Sequence, residues 1–211
     1  MLIIGTGGLA SDVVSSMGFD GNDSDLYFYN DTSVAPLPYI EENYTIYRTF
    51  DEAIHHIRHV CPKFIVAIGN NRERKRLTEK FEDIGGININ YISSQALIGK
   101  YVTLGERGII VLQHAIINNS VEIGNGSVIY LRASLGHGTR IGEYVLISGG
   151  GCTSNTRIGS FSTVGIGVFF KPGTSVGTES FVGVGSVVNK DIPDGATAVG
   201  NPARVIKTEQ F

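Results

Sequence analysis

Several groups of residues in this 211-residue sequence have types and spacings that could do chemistry. Gly5-Thr-Gly7-Gly-Leu-Ala10 is a G-x-G-x-x-A turn behind the apolar run Leu2-Ile-Ile4. Glycines in such a turn let backbone N–H groups approach an anion at the N-terminus of the next helix, which suits a nucleotide-bearing ligand. A purely structural glycine turn is the alternative. Asp31, beside Asn30 at the end of a second apolar run, stands where a ribose or base partner is expected. Ala67-Ile-Gly-Asn-Asn71-Arg-Glu-Arg-Lys75 adds a second strand-to-helix turn with amides and bases, although Arg72, Lys75 and Arg76 read equally as a solvated helix face. His55, His56 and His59 raise a metal reading, because His55 and His59 lie one helical turn apart. No Asp or Glu completes a ligand set, so they too read as a solvated helix face. Cys61 and Cys152 are too far apart for a zinc spacing and carry no secretory context, so both read as reduced and structural.

The elements that must position these groups fall into two kinds. Leu2-Ile-Ile4, Leu26-Tyr-Phe-Tyr29, Phe64-Ile-Val-Ala-Ile68 and Ile87-Asn-Ile-Asn-Tyr91 read as strands. Between them, a helix runs from the glycine turn to about Gly18. Thr49-Phe-Asp-Glu52 has capping-box spacing ahead of a helix to about His59, and a helix opening at Asn71 stops at Gly85-Gly86. Alternating strands and helices predict a small parallel sheet with helices, a half-Rossmann-like α/β domain over residues 1–92.

Residues 93–211 repeat a period of six. Counting gives Ile98, Leu104 and Ile110, then after a one-residue slip Ile117, Ile123, Ile129, Leu135, Ile141 and Ile147. A second slip at Gly149-Gly150-Gly151 leads to Cys152, Ile158, Val164, Phe170, Val176, Val182 and Val188. Most of the 28 glycines fall in this part, many directly after the apolar position. Each unit supplies one short strand with one aliphatic side chain inward, and glycine or a small polar residue takes the tight corner. Three units close a triangular coil, and stacked coils satisfy one another's backbone. The expected architecture is an all-β prism of about five stacked coils.

The hexads, the closing Asp191-Ile-Pro-Asp-Gly-Ala-Thr-Ala-Val-Gly-Asn-Pro-Ala-Arg204 segment and the glycine-rich first domain with Ala67-Ile-Gly-Asn-Asn71 resemble one family over nearly the whole chain. These are the bacterial sugar acetyltransferases typified by the bacillosamine N-acetyltransferase PglD and the sialic acid O-acetyltransferase NeuD, and the resemblance implies that the prism is a left-handed parallel β-helix. The resemblance implies a homotrimer with acetyl-CoA between adjacent prisms and a nucleotide-linked amino sugar held by the first domain. It implies that His137, in Leu135-Gly-His137-Gly-Thr-Arg-Ile141-Gly-Glu-Tyr144, is the general base. An imidazole titrating near neutrality can take a proton from the attacking amine and return one to the CoA thiolate. Backbone N–H groups near Ser154 would hold the oxyanion. Leu146, Ile166 and Val184 match the family's CoA contacts, with Lys190, Arg204 and Lys207 as candidates for the CoA phosphates. Gly7, Gly8 and Leu9 match the sugar nucleotide's phosphate turn, Asn30 and Asp31 its base edge, and Gly69, Asn70 and Arg74 the second turn. The sequence departs from the family at Gly138, where many relatives carry Asp or Glu, at Tyr130, where several carry Asn, and at Leu146, where a histidine often stands. His114, Asn118 and Asn119 could supply the missing polar shell.

Seventeen Lys+Arg against 20 Asp+Glu give a net charge of −3, which excludes a whole-chain basic field for nucleic acid. No apolar run approaches a membrane span and the N-terminus lacks signal-peptide character, so the expectation is a cytoplasmic protein without membrane insertion. The expected function is acetyl-CoA-dependent N-acetylation of the 4-amino group of a UDP-, dTDP- or GDP-linked amino-dideoxy sugar in surface glycan synthesis, with no metal. The alternative is O-acetylation of the sialic acid type. The third reading is a non-transferase, a zinc carbonic anhydrase on the same β-helix or an inert scaffold; it is disfavoured, because zinc catalysis wants three protein ligands and the repeat has only His114 and His137 as histidines.

Overall fold

The computed structural model describes residues 1–21 and 25–208 and divides them into two compact units, Met1–Tyr91 and Ile92–Phe211. In the first, β1 (Leu2–Ile4) leads into α1 (Gly8–Phe19), β2 (Tyr27–Tyr29), α2 (Pro38–Asn43), β3 (Thr45–Tyr47) and α3 (Phe50–His59). The remainder is β4 (Lys63–Val66), α4 (Asn71–Glu82) and β5 (Ile87–Asn88). All five strands are parallel, in the order β3-β2-β1-β4-β5. The strand order therefore reverses between β1 and β4, the position at which open α/β sheets bind ligands. Leu2, Ile4, Tyr29, Phe64 and Val66 form one buried cluster with Ala53, Ile57, Leu77 and Phe81 of α3 and α4. The expected capping box is present: Thr49 Oγ1 accepts from Glu52 N–H at 3.3 Å, and Glu52 Oε2 accepts from Thr49 N–H at 2.9 Å.

Several sequence expectations are corrected here. The run Ile87–Tyr91 is not one strand: Ile87–Asn88 pairs with β4, and Tyr91–Ile92 is a separate strand at the edge of another sheet. Alternating Ile and Asn marks a period of two but not the partner, and the partner decides where a strand ends. The elements α2 and β3 were not foreseen, because the proline-rich stretch before them carries no periodic signal. The histidines of α3 do not share a solvated face. His55 and His59 are exposed, whereas His56 is fully buried between Tyr27 and Tyr47.

The second unit is a left-handed parallel β-helix built of three sheets. One has six strands from Leu97–Ile98 to Val187–Val188, one has five from Thr103–Leu104 to Ser175–Val176, and one has eight, ending in Ala196–Val199 and the antiparallel Arg204–Thr208. The column Ile117, Ile123, Ile129, Leu135, Ile141, Ile147, Cys152, Ile158 and Val164 is buried in one continuous core. One position of the count is wrong: Val111, not Ile110, pairs with the column residue Ile129 and lies in the core, while Ile110 pairs with Val128. The extra residue of that coil therefore sits before Val111, around Gly108. In Ile109-Ile-Val-Leu112 all four side chains are apolar and fully buried, so no polar alternation marks the inward face. The second slip falls as counted, with Cys152 opposite Leu135. Gly149 and Gly150 make the shortened turn at φ +126° and +101°, and a Cβ on Gly150 would run into Val168 O.

Candidate active site

In the first unit, the β1–α1 and β4–α4 turns stand at the reversal point. Gly5, at φ +109°, is needed by the protein itself, since a Cβ there would come within 2.9 Å of Ala67 O. Gly7, Gly8 and Gly69 differ: a Cβ on any of them would meet nothing within 4 Å. The protein's own packing does not require glycine there, and its absence of side chains leaves the backbone open to a ligand. Gly7 caps α1 without any side-chain hydrogen bond, so the helix presents bare N–H groups at Gly8 and Leu9 and its positive dipole end to that opening. At α4, by contrast, Asn70 Oδ1 already accepts from Glu73 N–H at 2.9 Å.

Asn30 and Arg74 are committed to holding these turns. Asn30 Nδ2 donates to Thr6 Oγ1 and to Val34 O, both at 2.9 Å, and its Oδ1 accepts from Thr32 N–H and Oγ1–H at 3.1 and 2.7 Å. Every hydrogen-bonding hydrogen of that amide is used, so Asn30 braces the β1–α1 turn rather than offering a free edge. Arg74 is buried, with Nη1 donating to Ile68 O (2.8 Å) and Gly69 O (3.2 Å) and Nη2 to Asn71 Oδ1 (2.9 Å). It ties the β4–α4 turn from beneath. Asp31 is exposed. It accepts from the Tyr29 hydroxyl at 2.6 Å and lies 3.7 Å from Lys80 Nζ, a pairing the sequence reading missed because Lys80 is 49 residues away.

In the second unit, hexad geometry stacks turns into edges. The edge after the Ser134–Leu135 strand carries Asn119, His137 and Ser154 in successive coils, tied by Gly138 N–H to Asn119 O (3.2 Å) and Asn155 N–H to His137 O (2.9 Å). The His137 imidazole is exposed and takes no partner among the described residues, and Ser154 N–H is likewise uncommitted. Gly138 has φ +67°, as the equivalent Ser120 and Asn155 do at +57° and +59°, and a Cβ there would meet the end of the Asn155 side chain. A second edge, after the Leu146–Ile147 strand, stacks Gly149, Ile166 and Val184. Gly185 N–H donates to Ile166 O at 2.9 Å, and Ile166 and Val184 are exposed. Leu146 is half-buried on the sheet leading to it. His114 lies on this second edge, so Asn119, not His114, is the polar neighbour of His137 within one chain.

Between the two edges runs the outward face of the six-stranded sheet. Ser134, Gly151 and Phe169 lie there in register, and a Cβ on Gly151 would come within 3.2 Å of the Phe169 ring. The small residues leave a cleft of about 490 Å³, walled by Arg132, Gly136, Ser154 and Phe169. Gly136 and Ser154 are the neighbours of His137 along the chain and in the next coil. Counting outward positions as well as inward ones would have found this cleft. Among the described residues, no group of three His, Cys, Asp or Glu side chains could hold a metal, and no helix is long and apolar enough to cross a membrane.

The same order, a switch-point α/β unit followed by a left-handed β-helix, is found in solved acetyltransferase structures. Residues 1–81 match the family model described as the PglD N-terminal domain. Over 97% of this chain and 98% of its own, the structure is similar to the acetyltransferase domain of PglB from Neisseria gonorrhoeae FA1090, at TM-score 0.85 and 27% identity. That domain has also been solved in complex with acetyl coenzyme A. Over 98% of this chain and 96% of its own, it is similar to a histidine-to-asparagine variant of perosamine N-acetyltransferase from Caulobacter crescentus in complex with CoA and GDP-perosamine, at TM-score 0.84 and 29% identity. Among curated sequences, "Putative acetyltransferase YvoF" of Bacillus subtilis is 29% identical over 103 residues, 48% of this chain and 56% of that protein. The chain spans about half the length of that relative, and only 26% of an acetyltransferase-named protein of Staphylococcus aureus that is 48% identical over 51 residues.

Proposed function

We propose that the protein transfers the acetyl group of acetyl-CoA to the 4-amino group of a UDP-, dTDP- or GDP-linked amino-dideoxy sugar, in cytoplasmic synthesis of a surface glycan. The observation that carries this reading is the unpartnered imidazole of His137 on a prism edge, with the uncommitted N–H of Ser154 one coil away. His137 takes a proton from the sugar amine as its nitrogen attacks the thioester carbonyl. The tetrahedral oxyanion is held by backbone N–H at Ser154. The C–S bond then breaks, and the imidazolium returns its proton to the leaving thiolate. Whole-length likeness to the PglB acetyltransferase domain and to perosamine N-acetyltransferase supports both substrates.

The first unit holds the nucleotide, with phosphate at Gly7, Gly8 and Leu9, the nucleoside at Asp31, and Gly69 and Asn70 completing the wall. Asn30 and Arg74 act from behind by fixing the two turns. CoA lies along Leu146, Ile166 and Val184. Within one chain that group and His137 occupy different prism edges, so a homotrimer that sets the edge of one copy against the next completes the site. The exposed apolar side chains of the six-stranded sheet, Leu97 and Ile116 in register and Phe169 three coils further on, support such packing.

Thiol release from acetyl-CoA, measured with UDP-, dTDP- and GDP-linked 4-amino-4,6-dideoxy sugars and with free and CMP-linked sialic acid, tests the reading. Release with one amino sugar is expected, and His137→Ala is expected to lower kcat by about 10²- to 10⁴-fold with the fold intact. Release with sialic acid alone, or full activity in His137→Ala, overturns it.

A further inference from the structure

A polar chain crosses the carboxyl end of β2. Lys80 Nζ donates to Tyr29 Oη at 3.4 Å, Tyr29 Oη–H donates to Asp31 Oδ2 at 2.6 Å, and Lys80 Nζ lies 3.7 Å from that same oxygen. Its direction is fixed, because an ammonium only donates and a carboxylate only accepts. Tyr29 stays protonated, since burial and then Asp31 push its hydroxyl well above the ordinary phenol range. Each member is also held by packing. The Tyr29 ring is buried edge-on against Phe81 at 5.2 Å, and the Lys80 ammonium sits 3.9 Å from the centre of the Phe50 ring.

The chain engages one oxygen of Asp31 and leaves the other, Oδ1, without a partner among the described residues. Lys80 makes one hydrogen bond, to Tyr29, and the two side chains are 28% and 44% exposed, so both can reach a ligand. Arg76 and Glu73 are the other charges in electrostatic reach of Asp31. Arg76 spends Nε and Nη2 on Glu73 at 2.8 and 2.6 Å, and that pair is neutral as a whole. An isolated surface carboxylate would sample several rotamers and lose entropy on binding. Here the cost has been met in the free protein.

The geometry points to Tyr29 and Lys80 as positioning residues that fix Asp31 so that Oδ1 accepts a single N–H or O–H of the acceptor's nucleoside, with Lys80 Nζ donating beside it. This rests on the reading that the first unit binds a nucleotide. It adds two residues that neither turn contains and that no motif marks.

Calorimetric titration of the full chain with UDP, dTDP and GDP tests it. At least one nucleotide is expected to bind the unmodified protein, and Asp31→Asn, Tyr29→Phe and Lys80→Met are each expected to weaken it about tenfold. Tyr29→Phe with Asp31→Asn is expected to be no worse than Asp31→Asn alone, and Lys80→Arg to restore affinity, which a general loosening of the domain would not do. With a substrate sugar, KM for the sugar nucleotide is expected to rise while kcat and KM for acetyl-CoA hold. Additive losses, or Tyr29→Phe binding as well as the unmodified protein, overturn this inference alone. Failure of all three nucleotides to bind overturns it together with the nucleotide reading.

Discussion

Lowering the pH from 7 to 5 is expected to destabilise the first unit through a single side chain, His56. Its imidazole is fully buried between Tyr27 (centroids 4.7 Å apart) and Tyr47 (5.5 Å). Nδ1 meets Tyr47 Oη at 3.2 Å, and Nε2 has no hydrogen-bond partner among the described residues. Burial, then the N-terminal ammonium and His55, lower its pKa from the usual 6.5 to about 4. The folded value lies below the unfolded one, so between the two the unfolded chain binds the proton first. Stability is therefore unaffected above 6.5, falls with the pH between 6.5 and 4, and levels off below that. At pH 5 protonation of the unfolded chain is worth about 2 kcal/mol. Glu52 and Glu73, lowered chiefly by hydrogen bonds from Thr49 and Arg76 respectively, lend stability that is lost only as pH falls through the carboxylate range. Urea unfolding at pH 7 and 5, followed by far-UV circular dichroism and by hydrogen exchange in α3 peptides, is expected to show this loss in the natural sequence and not in His56→Phe. Equal pH slopes in the two proteins, or an NMR titration of His56 with its midpoint near 6.5, would refute the reasoning.

Two further substitutions probe the sites. Gly138→Asp places a side chain at φ +67° against Asn155 Oδ1 and is expected to cost about 1–2 kcal/mol in thermal unfolding. An unchanged melting temperature would show that the glycine is not required. Asn30→Ala removes four hydrogen bonds around the β1–α1 turn and is expected to cost about 2–3 kcal/mol and to weaken nucleotide binding. Calorimetry showing full affinity with only stability lost would confine Asn30 to the fold.

The sequence alone determined whatever depends on local chemistry or on a short repeat. A period of six leaves a chain few ways to satisfy its backbone except by stacking coils, so the β-helix, its column and the shortened turn at Gly149 were legible from spacing. The capping box at Thr49 and the open glycines at Gly7 and Gly8 were legible for the same reason, since each involves residues within one turn of the other. Tertiary structure decided what spacing leaves degenerate. In Ile109-Ile-Val-Leu112 every side chain is apolar, so only pairing with Ile129 shows that Val111 faces inward. Asn30 and Arg74 have the residue types of ligand contacts, and only their partners show them spent on holding turns. His56 shares a helix with two exposed histidines, yet the facing tyrosines of β2 and β3 dehydrate it. The Tyr29–Lys80 contact joins residues 51 apart, and His137 meets Ser154 only because a coil closes between them. Such contacts are made by the fold's return path, which residue types and spacing do not specify.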